Sequence, residues 1–181
     1  MILALDPSGN FHEGKGITGW CLIKEDIRKI IKFGAIDAST SYNDSDHWRK
    51  HVDLVLNLHE ANPDLVVIIE DFMLYASQAA NQINSRFETV KLIGIIQYIC
   101  DQHNIPYHMQ TATSVKRRWK DFLLEEKGYI KQETMYRTVA GEKVPYKNTY
   151  VNGVKVNDHV VDSIRHGVHY LTFRVEKEIS E

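Results

Sequence analysis

The segment Asp64-Leu65-Val66-Val67-Ile68-Ile69-Glu70 is aliphatic at every interior position, with no alternation of apolar and polar residues. A strand of that composition is stable where both of its faces are covered, as in the middle of a parallel sheet flanked by helices. The run therefore predicts an α/β arrangement. It also places Glu70, with Asp71 beside it, at the carboxyl end of a central strand. Open α/β sheets bind their ligands at such ends.

The surrounding segments supply the rest of a mixed sheet. Ile2–Asp6 is a short apolar run ending in an acid, followed by the turn-forming Pro7-Ser8-Gly9-Asn10. Ile17–Ile23 and Ile27–Ile36 read as two more strands, and three consecutive strands with short connections predict an antiparallel meander. Asn43 or Asp44 caps a helix through Leu58 that stops before Pro63. A polar loop over 76–81 leads to a long helix from about Asn84 to His103, then a short strand over Ile105–Met109. Thr113 or Ser114 starts a basic helix running through Trp119 to Leu123. Periodicity is weak from Gly128 to Asn157, which reads as an insert. Its clearest feature is Asn152-Gly153 between alternating residues, a hairpin turn. A last helix runs from Asp158 to about Glu178. The expectation is one α/β domain over 1–181, with five strands, three antiparallel and then parallel, between helices.

At 181 residues the chain is long enough for one domain with a real core. No apolar run reaches bilayer length. Met1–Asp6 reads as a buried strand rather than a signal peptide, so a cytoplasmic protein with no membrane association is expected. Cys21 and Cys100 each sit in an apolar segment and are expected as small core residues. The formal net charge is −2, but charge is segregated. Ser114–Lys147 holds nine Lys/Arg against five acids, a local +4 that leaves −6 for the remainder. A local basic region beside an acidic centre is compatible with nucleic acid as a partner.

Three places combine an acid with a rigid position: Asp6, Glu70, and the start of the last helix with Asp158, His159 and Asp162. His159 and Asp162, three apart, share a helix face, and so can Asp158 and Asp162. Singly, each acid has an ordinary reading as a turn or capping residue. As a set, two strand-end acids and a helix pair suit two hard ions such as Mg²⁺ or Mn²⁺. Two such ions about 4 Å apart can clamp a phosphodiester.

Ile-Leu-Ala-Leu-Asp6-Pro-Ser with Gly16-Ile-Thr-Gly19-Trp resembles the opening of the RuvC-type Holliday junction resolvases. Val66-Val-Ile-Ile-Glu70-Asp-Phe-Met resembles their second acidic strand, and Ala76–Asn84 the segment after it. Thr113-Ser-Val-Lys116 resembles the start of their basic region, and Asn157-Asp158-His159-Val-Val-Asp162-Ser their last catalytic helix. The resemblance is to small phage-encoded members more than to the housekeeping bacterial enzyme, and a phage-encoded protein would be expected in the cytoplasm of a bacterial host. The resemblance implies an RNase H-like fold, a homodimer, and paired nicks across a four-way junction with two Mg²⁺ or Mn²⁺ ions. Asp6, Glu70, His159 and Asp162 carry over as the metal-binding catalytic four, with Asp158 a cap or an alternative ligand to His159. The family often places an aromatic residue soon after the second acid to enter the junction, for which Phe72 and Tyr75 are the candidates here. The 128–157 insert looks longer than the family pattern.

Lys116, Arg117, Arg118 and Lys120 read as a phosphate-contacting helix edge, with Trp119 packed inward. Lys131, Arg137, Lys143 and Lys147 could extend that surface, in an insert that orders on DNA. The helix of Phe87, Val90, Ile93 and Ile96 is apolar nearly all round, so its outer face meets either another helix of the chain or a second subunit. Of His166 and His169, one is expected packed and one exposed. Two other readings stand beside branched-DNA cleavage: an RNase H-like nuclease for flaps, forks or RNA–DNA hybrids, and a junction-binding protein that does not cut.

Overall fold

A computed structural model describes residues 1–12, 14–26, 28–73 and 87–180, with side chains through Arg174. Strands β1 (Ile2–Asp6), β2 (Ile17–Lys24) and β3 (Lys29–Asp37) form the expected antiparallel meander. Helix α1 (Asp44–Ala61) begins at Asn43, whose side chain accepts from the Asp46 N–H at 2.8 Å. Then come β4 (Val66–Asp71), α2 (Glu88–Gln102) and β5 (Tyr107–Thr111). The sheet order is β3-β2-β1-β4-β5, with β4 parallel to both β1 and β5. This is the mixed five-stranded α/β sheet of an RNase H-like fold.

The central strand is aliphatic throughout because its two faces serve two cores. Ile2, Ala4 and Ile68 face one way and pack against the last helix, α5 (Asp158–Ser180). Leu3, Leu5, Val67 and Ile69 face the other way and pack against α1 and α2. Successive strand residues point to opposite faces, so doubly covered strands have no polar position to show. Cys21 and Cys100 are free and buried, one in each cluster.

The structure departs from the sequence reading in four places. Strand β5 begins two residues later than expected, at Tyr107. The basic helix is two helices, α3 (Ala112–Arg118) and α4 (Asp121–Glu126), because Lys120 adopts an extended backbone. The break frees the Trp119 carbonyl, which accepts from Arg165 Nε at 3.2 Å. The insert is an ordered three-stranded sheet of β6 (Lys131–Val139), β7 (Glu142–Val151) and β8 (Val154–Val156), rather than one short hairpin. The turn of its longer hairpin, Ala140-Gly141, has positive φ at both residues, and alanine at the first hid it from sequence patterning. Finally, His166 and His169 are both buried. Among the described residues, no helix is long and apolar enough to cross a membrane.

Candidate active site

The site follows from strand register. Leu5 pairs with Ile69, so Asp6 and Glu70 are the next residues of two adjacent parallel strands. Both continue the rows of Ala4 and Ile68 and therefore face α5. Asp6 also pairs with Gly19 on β2. A Cβ on Gly19 would stand 2.1 Å from the carbonyl carbon of His159, so glycine is what lets the start of α5 reach the sheet. On α5, His159, Asp162 and His166 fall at i, i+3 and i+7, one stripe of the helix.

That stripe meets the strand ends residue by residue. One carboxylate oxygen from each of Asp6, Glu70 and Asp162 lies within 4.8 Å of the others. His159 Nδ1 stands 2.7 Å from Asp6 Oδ2. His166, wholly buried, donates from Nε2 to Glu70 Oε2 at 2.8 Å. Its Nδ1 faces the Gln110 side chain at 3.0 Å, and Gln110 is the β5 partner of Glu70. Lys116 Nζ lies 2.8 Å from Asp162 Oδ2. The Arg165 guanidinium bridges Asp162 to Asp121.

Burial raises the Asp6 carboxyl above the usual range, against the pull of its hydrogen bond with His159, while nearby Glu70 adds to the rise. Burial also acts upward on Glu70, but His166 and Lys116 together outweigh it and the net shift is downward. The hydrogen bond to Asp6 raises His159 against partial burial. Burial alone would lower Lys116, yet Asp162, Glu70 and Asp6 together raise it and keep it cationic. Three converging carboxylates are a hard-oxygen donor set of the kind that holds a divalent metal ion.

The loop after Asp6 is braced from beneath. His51 Nδ1 faces the His47 carbonyl at 2.8 Å and so must donate. Its Nε2 then accepts from Thr18 Oγ1 at 2.7 Å. Thr18 in turn accepts the Ser8 N–H at 2.9 Å, and His47 Nε2 donates to the Ser8 carbonyl at 3.2 Å.

The remaining expected residues are spread around this centre. Asp158 is exposed and lines a cleft of about 770 Å³ next to Asp162, together with Lys116, Lys120, Phe122 and Lys147. Arg117 is exposed, and Arg118 lies over the Phe173 ring at 5.2 Å. Trp119 is half-buried against the α5-side core. Phe72 is half-buried against the opposite core, and Tyr75 falls outside the described residues. Sequence reasoning missed Gln110 and Arg165 as parts of the centre, and took His166, which shares a helix face with Asp162, as no more than a packing candidate. The i, i+3 spacing of Asp162 and Arg165 was the available signal for the arginine.

No protein-family model and no curated protein matches the chain. Solved structures do. RuvC of T. thermophilus in complex with a Holliday junction substrate superposes with a TM-score of 0.62 at 11% identity, over 96% of this chain and 94% of that one. A further structure of Thermus thermophilus RuvC gives a TM-score of 0.60 at 12% identity, over 97% and 96%. The chain thus has the RuvC-type RNase H-like fold, with three carboxylates gathered at its strand ends where a metal ion can be held.

Proposed function

We propose that the protein is a metal-dependent, structure-selective endonuclease. In this reading it resolves four-way junctions or related branched DNA by paired nicks, as a homodimer. The observation that carries the reading is the convergence of Asp6, Glu70 and Asp162 within 4.8 Å, beside a cleft lined by Lys116, Lys120 and Lys147. Asp6, Glu70, His159 and Asp162 would hold two Mg²⁺ or Mn²⁺ ions, with Asp158 at the rim. Bound there, such ions activate water and stabilise a leaving oxygen.

The chain's own residues divide the remaining work. His159 directs Nδ1 to Asp6, which leaves Nε2 for a ligand or a proton. His166 orients Glu70. Lys116, Lys120, Arg117 and Arg118 position the phosphate backbone, and Phe72 or Tyr75 meets the junction centre. The outer face of α2 supports a dimer. Val90 and Tyr98 are 43% and 60% exposed on either side of Gly94, above which lies open space. A two-fold dimer fits a substrate with two equivalent strands to cut.

The test is cleavage of an immobile synthetic four-way junction in Mg²⁺ and in Mn²⁺, beside a linear duplex, a fork and an RNA–DNA hybrid. Paired symmetric nicks in the junction, lost in Asp6→Asn with binding retained, are the expected result. Equal cutting of forks or hybrids would replace the substrate with a broader one. Binding without cutting in either metal would overturn the enzymatic reading.

A further inference from the structure

The β6–β7 ribbon has two unlike faces. The strands pair without a break from Lys131↔Tyr150 to Val139↔Glu142, so residues alternate between the faces along its length. Gln132, Thr134, Tyr136 and Thr138 share one face with Lys143 and Lys147, and no carboxylate stands on it. Glu133 and Glu142 are both on the opposite face. There Lys131 is paired with Glu133 at 2.7 Å, and Arg137 lies 5.9 Å from the Tyr146 ring centre. The four cations of β6 and β7 are therefore not equivalent: two are engaged on the mixed face and two stand on the acid-free one.

The acid-free face is continuous with the active site. Gln132 and Lys147 line the cleft that contains Asp162. Lys147 Nζ donates to Gln132 Oε1 at 2.9 Å, and Gln132 Nε2 donates to Asp121 Oδ2 at 3.0 Å. Asp121 is held by Arg165, whose other donor is on Asp162. Outward from there the face offers hydroxyls and lysines, the groups that contact phosphates. At about 3.3 Å per residue, the nine residues of β6 reach roughly 30 Å. That is close to one turn of B-form duplex, about 34 Å.

We propose that the acid-free face of the β6–β7 ribbon is the track for a duplex arm of the substrate, with Lys143 and Lys147 on its phosphates. The proposal rests on the nuclease reading above and adds to it which side of the insert the DNA takes. Lys131 and Arg137, on the other side, make no contribution to binding.

The test compares Lys143→Ala/Lys147→Ala with Lys131→Ala/Arg137→Ala, since each pair removes two positive charges from the same ribbon. Binding to a labelled four-way junction is followed by fluorescence anisotropy in EDTA, between about 50 and 200 mM salt. The first variant is expected to raise Kd about tenfold and to lower the slope of log K against log salt by about two. The second is expected to leave both unchanged. Thr138→Glu against Val139→Glu repeats the comparison without touching the Lys147–Gln132 bond, and only Thr138→Glu should weaken binding. Equal effects from the two faces, or an unchanged slope in the first variant while wild type binds, would overturn the proposal and leave the nuclease reading standing. Failure of the wild-type protein to bind any DNA would overturn both.

Discussion

His166 Nε2 lies 2.8 Å from Glu70 Oε2, joining a fully buried residue of α5 to the acid at the end of the central strand. Gln110, across the sheet from Glu70, holds the other ring nitrogen. The carboxylate is thus oriented from two elements at once, and such supporting hydrogen bonds commonly change metal affinity or activity about 10–100-fold when lost. His166→Ala should reduce cleavage by that order and raise the Mn²⁺ concentration needed for half-maximal rate. His166→Gln, which keeps an N–H donor, should recover part of both. A loss of thermal stability with an unchanged metal requirement would show that His166 only packs.

Metal binding should be visible without any substrate. An ion that binds only the folded state stabilises it by about 2.7 kcal/mol at a hundredfold excess over Kd. For a chain of this size that corresponds to a rise in Tm of roughly 5–10 °C. Asp6→Asn should abolish the rise and, in metal-free buffer, melt slightly above wild type, because it removes a buried charge facing Glu70 and Asp162. Calorimetry with and without Mg²⁺ or Mn²⁺ checks both halves.

Gly19→Ala should be far more damaging than a methyl group on a strand usually is. The added carbon would meet the His159 backbone at 2.1 Å, and neither β2 nor α5 can yield without moving Asp6 or His159. Overpacking of this kind costs about 1–3 kcal/mol. Urea unfolding should show that loss, and cleavage should fall further than stability, because the helix start carries the site.

Acid should weaken the fold through His51. Burial pushes its imidazole down to about 4 from 6.5. The unfolded chain therefore takes up the proton first, so the stabilisation is complete above about pH 6.5 and is lost as pH falls toward the folded value. Between about pH 7 and pH 5 the loss attributable to this group is roughly 2 kcal/mol. Urea midpoints should therefore fall less steeply with acid in His51→Gln than in wild type. Parallel curves would show that His51 does not titrate in this way.

Much of the site was legible along the chain. A run without alternation, Val66–Ile69, needs cover on both faces, which places Glu70 at a sheet end. Asp6 ends a second apolar run, and the pairing of His159 with Asp162 follows from helical spacing alone. These are local regularities, and a sequence records them directly. What bonds His166 to Glu70 is the depth at which α5 sits on the sheet, which the missing side chains of Gly19 at the helix start and Gly167 beside His166 permit. Arg165 reaches Asp162 by helical spacing, but what brings Lys116 of α3 onto Asp162, and the Trp119 carbonyl and Asp121 onto Arg165, is the way the broken basic segment packs on the last helix. What separates Lys143 and Lys147 from Lys131 and Arg137 is the register of β6 against β7, and the sequence showed only four cations. The sequence by itself determined the elements and the acids at their ends. The tertiary structure decided which distant side chains meet those acids, because contacts between residues some forty to a hundred and fifty positions apart depend on how elements pack and not on any local period.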